Sequence, residues 1–331
     1  MCLTFLLIGY TSYIATIVRA SAGVPINQGN PETTYSLLNY LNREQYGTRP
    51  ILYGANFGST VTGYQERNTW IASKGKYIKS QLNPDIEYDK NTIGFFPRMH
   101  SNEPGHIQSY KNWVDLKGRK VPVQDDDGKL TNTILPTFQE NVSFFLKYQL
   151  GFMYLRYFMW NFAGRQNDIQ GNGDLQNGNW QSGFSFIDQH IAGPQTHLTS
   201  AAKENKGRNS YYFLPLLIGI LGIFFQYKND LQNFLSTGLL FFLMSFALVV
   251  YLNEIPNTPR ERDYVYVGSF YVFCIWIGLG VLSIFNQLQK LLKERMALIS
   301  TLAFCLAASP ILLLAQNFDD HNRSERYSAR D

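Results

Sequence analysis

Charge is what this sequence has least of. Asp, Glu, Lys and Arg make up 16% of its 331 residues, where a soluble domain carries about a quarter. That shortage excludes a water-facing surface along the whole chain. The net charge of +4 is too small for a nucleic-acid footprint, and no DNA- or RNA-binding motif occurs, so nucleic acid is excluded as a partner. Cysteine is scarce too. Cys2, Cys274 and Cys305 all stand in apolar stretches, with neither metal spacing nor a disulfide framework, and read as small core residues. The five His (His100, His106, His190, His197 and His321) lack ligand spacing, and neither a nucleophile elbow nor a phosphate-cradling glycine loop is present. No cofactor is expected from these residues, although a divalent metal stays open.

What the chain does hold is apolar residues gathered in blocks. The mean hydropathy of −0.18 excludes a chain buried in lipid throughout, yet 45% of residues are hydrophobic and 15% aromatic. Residues 211–227, 233–252, 266–285 and 297–315 are almost free of charge. A span needs about 20 mostly apolar residues, with a range of roughly 17–25, so all four qualify, the first only just. Residues 1–18, MCLTFLLIGYTSYIATIV, lack the basic start of a signal peptide and read as a partial transmembrane helix. Together with the abrupt C-terminal end, this segment suggests a piece of a longer protein.

Between these blocks, 19–136 is polar and rich in turn signals such as Asn30-Pro31 and Glu103-Pro104-Gly105. It predicts a small α+β domain with a helix near 34–46 ended by Gly47 and a hairpin around Asp125–Gly128. Residues 138–162 then carry ten aromatic side chains behind a Thr137/Glu140 capping box. Glu140, Ser143, Lys147, Gly151 and Tyr154 fall on one stripe at helical spacing. This is the pattern of a helix lying in the membrane interface or on the bundle. A further span would put Lys147 and Arg156 in lipid at about 2.5–3.5 kcal/mol each. The fold class is therefore mainly α: a polytopic membrane bundle of about five transmembrane helices, a small α+β extramembrane domain and an interfacial helix. The divisions are 1–18, 19–136, 137–210 (interfacial helix and polar Gly/Asn loop), 211–315 (four helices) and 316–331.

Two polar clusters carry the chemistry. In 258–264, TPRERDY, Arg260 and Arg262 offer planar forks suited to phosphate oxygens, with Glu261 and Asp263 as carboxylate candidates for catalysis. Equally, this loop reads as a salt-bridged turn locking two helices. In 160–180, Trp160, Arg165, Asn167, Asp168 and Trp180 form the inventory of a sugar or acceptor cleft, with Asp168 a third carboxylate candidate; a plain flexible loop fits the same composition. The start of a calcium loop at Asp168–Asp174 lacks the bidentate Glu at its twelfth position, where Asn179 stands. Asp319, Asp320 and His321 follow the last span, as a catalytic carboxylate or a charged anchor. Counting positive charges places the large polar region in the cytoplasm.

Several strings together resemble one family: YLNREQYG (40–47), FPRM (96–99), YFMWNFAGRQNDIQG (157–171), PRERDY (259–264) and GSFY (268–271). The family is the bacterial polytopic membrane proteins, formerly a domain of unknown function, grouped with protein O-mannosyltransferase-like enzymes of the GT-C superfamily. The resemblance runs essentially end to end. It implies transfer of a mannose-like sugar from a polyprenyl-phosphate donor, a membrane lipid, to a Ser/Thr hydroxyl of a protein acceptor. It also implies the outer face of the inner membrane, against the charge count, with the large loop periplasmic. The family's catalytic acids sit in an early outer loop, so this chain is expected to lack them. A membrane scaffold binding envelope partners is the alternative. A transporter would need polar or broken helices at mid-membrane, and the spans are nearly bare of polar residues.

Overall fold

The computed structural model describes residues 2–44, 49–65, 69–73, 75–80, 84–124 and 130–324. They fall into two compact units: 1–100 with 118–138, and 101–117 with 139–331.

In the first unit the apolar N-terminal block forms one helix, α1 (Cys2–Ser21), of 20 residues. It runs three residues past the partial helix expected over 1–18. Helix α2 (Thr34–Leu41) starts at a true capping box: the Thr33 hydroxyl accepts from the Ser36 backbone N–H, and the Ser36 hydroxyl accepts from that of Thr33. It ends short of the expected 46, and Gly47 lies outside the described residues. The strands pair antiparallel as β1 (Tyr53–Ala55) with β6 (Ile93–Phe95), β2 (Val61–Gln65) with β5 (Asp85–Tyr88), β3 (Thr69–Ser73) with β4 (Lys76–Ser80), and β7 (Arg119–Gln124) with β8 (Leu130–Leu135). The β7–β8 ladder is the expected hairpin; its acidic turn lies outside the described residues. Val121, Val123 and Leu135 form a small core beneath it.

The second unit holds α3 (Pro104–Trp113) and α4 (138–162). Helix α4 is π-helical over Phe145–Leu155, between α-helical Phe138–Phe144 and Arg156–Phe162. A polar segment follows, pinned by the short ladder of β9 (Gly164–Arg165) with β10 (Asn209–Ser210). Then come α5 (Leu214–Asn229), α6 (Leu231–Leu252), α7 (Asp263–Leu288) and α8 (Glu294–His321). Helix α5 begins later than the expected 211 because Tyr212 and Phe213 hold positive φ, leaving Pro215 in the first turn. The turn into α6 is one residue long, and Asp230 caps it by accepting from the Asn233 backbone N–H at 3.1 Å.

Helices α1, α6, α7 and α8 are each long and apolar enough to cross a membrane, and α5 is apolar but shorter. The chain is a multi-pass membrane protein: a mainly α bundle with a small α+β unit. Side chains such as Leu235, Leu239, Leu282 and Leu314 are exposed, as contact with lipid requires. Helices α5 and α7 approach through small residues. A Cβ at Gly222 would overlap the Trp276 carbonyl, and one at Gly280 would overlap that of Ile218. Beside them the Trp276 indole donates to Gln226 Oε1 at 2.7 Å.

Helix α4 packs on this bundle, with Phe158 and Phe162 ring-to-ring against Phe273 at 4.9 and 4.5 Å. The stripe is buried at its ends and exposed at its middle: Glu140 and Tyr154 are buried and Lys147 is exposed, as are Leu146 and Leu155 off the stripe. The π-helical turns alter the 3.6-residue period on which that stripe was drawn. Both polar groups also have partners. Glu140 accepts from the Lys117 backbone N–H at 2.7 Å, and the Tyr154 hydroxyl meets Ser269 Oγ at 3.3 Å.

Candidate functional site

The loop between α6 and α7 is held by α4. Gln149 donates to Asn253 Oδ1 and to the Glu254 carbonyl, each at 2.9 Å, and the Tyr148 hydroxyl donates to the Ile255 carbonyl at 3.2 Å. Farther along α4, Arg156 grips Glu261 in a two-pronged pair, Nη1 to Oε1 at 3.1 Å and Nη2 to Oε2 at 2.7 Å. This guanidinium is 4% exposed and lies over the Phe152, Tyr157 and Trp160 rings. The Tyr157 hydroxyl and the Gly171 backbone N–H also donate to Glu261. Burial works against the charged carboxylate, but Arg156, Tyr157 and Gly171 outweigh it and hold its pKa below the usual range. Burial pushes the Tyr157 phenol well up, so it stays a donor. Glu261 is thus the bolt that fixes the loop, consumed by four hydrogen bonds.

Beyond this bolt a cavity of about 590 Å³ opens where α7 begins and α8 ends. Its walls include Trp160, Arg165, Asp263, Asn317, Asp320 and His321. Gly164 makes the turn that aligns Arg165: its φ is +135°, and a Cβ there would collide with the Asn209 and Gln181 carbonyls. An amide relay then ties the loop to α8. The Arg165 backbone N–H donates to Asn209 Oδ1 (2.8 Å), Asn209 Nδ2 to Asn317 Oδ1 (2.9 Å), and Asn317 Nδ2 to the Tyr211 hydroxyl (2.8 Å). Asp320 lies 3.7 Å from His321 Nδ1. The Arg165 guanidinium stacks 4.0 Å above the Trp160 ring. Burial lowers its pKa, opposed chiefly by Asp263 and Asp168.

The sequence candidates therefore divide. Trp160, Arg165 and Asp263 come together in the cavity, joined by Asp320 and His321. Arg262 pairs instead with Glu254 at 3.1 Å, while exposed Arg260 lies over the Tyr264 ring; neither is among the residues lining the cavity. Asn167 is buried and spent on the loop itself, accepting from the Gly178 and Ile169 backbone N–H groups and donating to Gln176 and Asn177. Asp168 is exposed and accepts from Asn205 at 2.7 Å. Trp180 packs edge-on against Phe213. Asn209, Tyr211 and Asn317 were missed, although an amide just past the apolar run 297–315 is a readable signal. No cluster of three or more His, Cys, Asp or Glu able to hold a metal occurs among the described residues.

A family model described as a family of unknown function (DUF8416) matches residues 47–146. No curated protein and no solved structure matches the chain.

Proposed function

We propose that this chain is the later part of a membrane glycosyltransferase, moving a mannose-like sugar from a polyprenyl-phosphate donor to a protein Ser or Thr hydroxyl. The cavity carries the reading. It offers the Asp263 and Asp320 carboxylates and the Asn317 amide for hydroxyls, and the Arg165 guanidinium stacked on Trp160 for a phosphate, where α4 and α8 end and α7 begins. In the reaction the acceptor oxygen bonds to the anomeric carbon as the bond from that carbon to the phosphate oxygen breaks. The hydroxyl proton goes to a carboxylate, for which Asp263 is the cavity's nearest-placed group to the bolted loop. The protein sits in the inner membrane with its large polar region in the periplasm.

The test is sugar preference. In nanodiscs the protein should bind a polyprenyl-phosphate hexose about tenfold or more tightly than the sugar-free polyprenyl phosphate, since one or two hydrogen bonds to hydroxyls are worth about 1.4 kcal/mol together. Asp263→Asn and Asp320→Asn should erase that preference while the protein still folds. Equal binding of both lipids by the unaltered protein would overturn the reading in favour of a scaffold.

A further inference from the structure

The polar segment before α5 carries one turn that presents aromatic rings. A single helical turn, Ser185–Asp188, holds out Phe186, 68% exposed, beside exposed Phe184. The turn is fastened from within. Asp188 is buried, and its carboxylate accepts from the Ser182 backbone N–H (2.6 Å), the Ser182 hydroxyl (2.8 Å) and the Gly183 backbone N–H (2.8 Å). From Gly183 to Gln189 it is the one ionisable side chain, so the outer side of the turn bears no charge.

Scattered apolar side chains are ordinary on a protein surface, but these rings are contiguous. Phe184 meets Phe186 at 6.0 Å, Tyr212 at 5.6 Å and Phe213 at 6.2 Å. Tyr212 and Phe213 lead directly into α5. There Leu217, Ile220, Leu221 and Phe224 are exposed, at steps of three and four that make one face. The opposite face, Ile218, Gly219 and Gly222, is buried, its glycines against α7. The rings therefore prolong the outward, apolar side of α5 past its first residue. Helix α5 is also shorter than the four long apolar helices, so this is the end at which extra apolar surface is needed. We infer that the turn is a membrane foot: Phe184 and Phe186 insert into the interfacial layer of the leaflet in which α5 begins. Aromatic rings favour that layer, and an apolar face seated there is buried about 5–10 Å deep. The foot also holds the cavity wall. Gln181 Nε2 donates to the Asn209 carbonyl and to Ser210 Oγ, each at 2.9 Å, and the Tyr212 backbone N–H donates to the Ser182 carbonyl at 3.0 Å. The strand that presents Asn209 is thereby fixed to the membrane surface. The inference is independent of glycosyl transfer, because a scaffold would be seated by the same foot.

The experiment places a nitroxide at Phe186→Cys in the full chain in nanodiscs, with Cys2→Ala, Cys274→Ala and Cys305→Ala in the background. Leu217→Cys serves as the lipid reference and Lys203→Cys as the water reference. Collisions with oxygen and with a water-soluble nickel chelate are then compared. A polar chelate loses its hydration among acyl chains, so its collisions at Phe186→Cys should fall about tenfold or more below those at Lys203→Cys, with oxygen collisions close to those at Leu217→Cys. Nickel collisions as frequent as at Lys203→Cys would overturn the foot by leaving the turn in water. A label shielded from both reagents would overturn it in favour of a protein contact, including one with a second copy of the chain. Adding Asp188→Ala should return the label toward the water value while the melting temperature changes little; an unchanged label would overturn the fastening role of Asp188.

Discussion

At the residue scale, four arginines decide the molecule, and only their partners tell them apart. Arg156 and Arg262 are paired with Glu261 and Glu254, Arg260 is at the surface, and Arg165 is the one left with a buried, unsatisfied Nε. The Arg156–Glu261 pair makes a direct prediction. Removing one partner of a buried pair costs roughly 3–5 kcal/mol, so Glu261→Gln should lower the melting temperature markedly. The pH dependence follows from the depressed pKa of Glu261. Its stabilisation is complete above the unfolded value of about 4.3 and is lost as pH falls through the lower folded value. Melting curves from neutral pH down to about pH 3 should therefore converge for the unaltered protein and Glu261→Gln. A constant gap between them across that range would show that ionisation of Glu261 is not what stabilises the fold, and no gap at any pH would show that the pair contributes nothing. The sequence displayed all four arginines plainly. It could not assign them, because the Arg156 contact spans 105 positions and no local spacing encodes it.

At the element scale, apolar runs were legible and helix surfaces were not. Residues 233–252 and 266–285 emerged within α6 and α7 because apolarity over some 20 residues has one outcome in a membrane. For α4 the existence of the helix was equally plain from its aromatic run. Its polar stripe is only partly exposed, because 100° per residue does not hold through an 11-residue π-helix. The glycines of α5 and α7 make the element prediction. A side chain at Gly222 or Gly280 meets backbone of the opposite helix, which cannot swing aside. Gly222→Ala and Gly280→Ala should each lower folded yield and melting temperature in detergent, although alanine is the better helix former by about 1 kcal/mol. Gly238→Ala in α6 meets nothing within 4 Å and should be neutral or slightly stabilising. Equal behaviour of all three variants would mean that the α5–α7 contact is looser than described.

At the scale of the whole molecule, the cavity constrains the path through the membrane. Its walls come from Gly207–Tyr211 before α5, from Asp263 before α7, and from Asn317–Asn322 at the end of α8. The Asn209–Asn317 hydrogen bond requires the first and last of these to share one side of the bilayer. Helices α7 and α8 together return the chain to the side of Asp263. Helices α5 and α6 must do the same, so α5 has to cross. With 16 residues it is about 24 Å long at 1.5 Å per residue, short of the roughly 30 Å hydrocarbon core. The deficit is met by local thinning or by the flanking Tyr211–Phe213 and Tyr227 at the interfaces. Single cysteines read by a membrane-impermeant maleimide test this. Asn257→Cys and Asn322→Cys should label from one side, and Lys228→Cys and Leu291→Cys from the other. If Lys228→Cys labels together with Asn257→Cys, α5 turns back within the membrane, and the amide relay that builds the cavity cannot close.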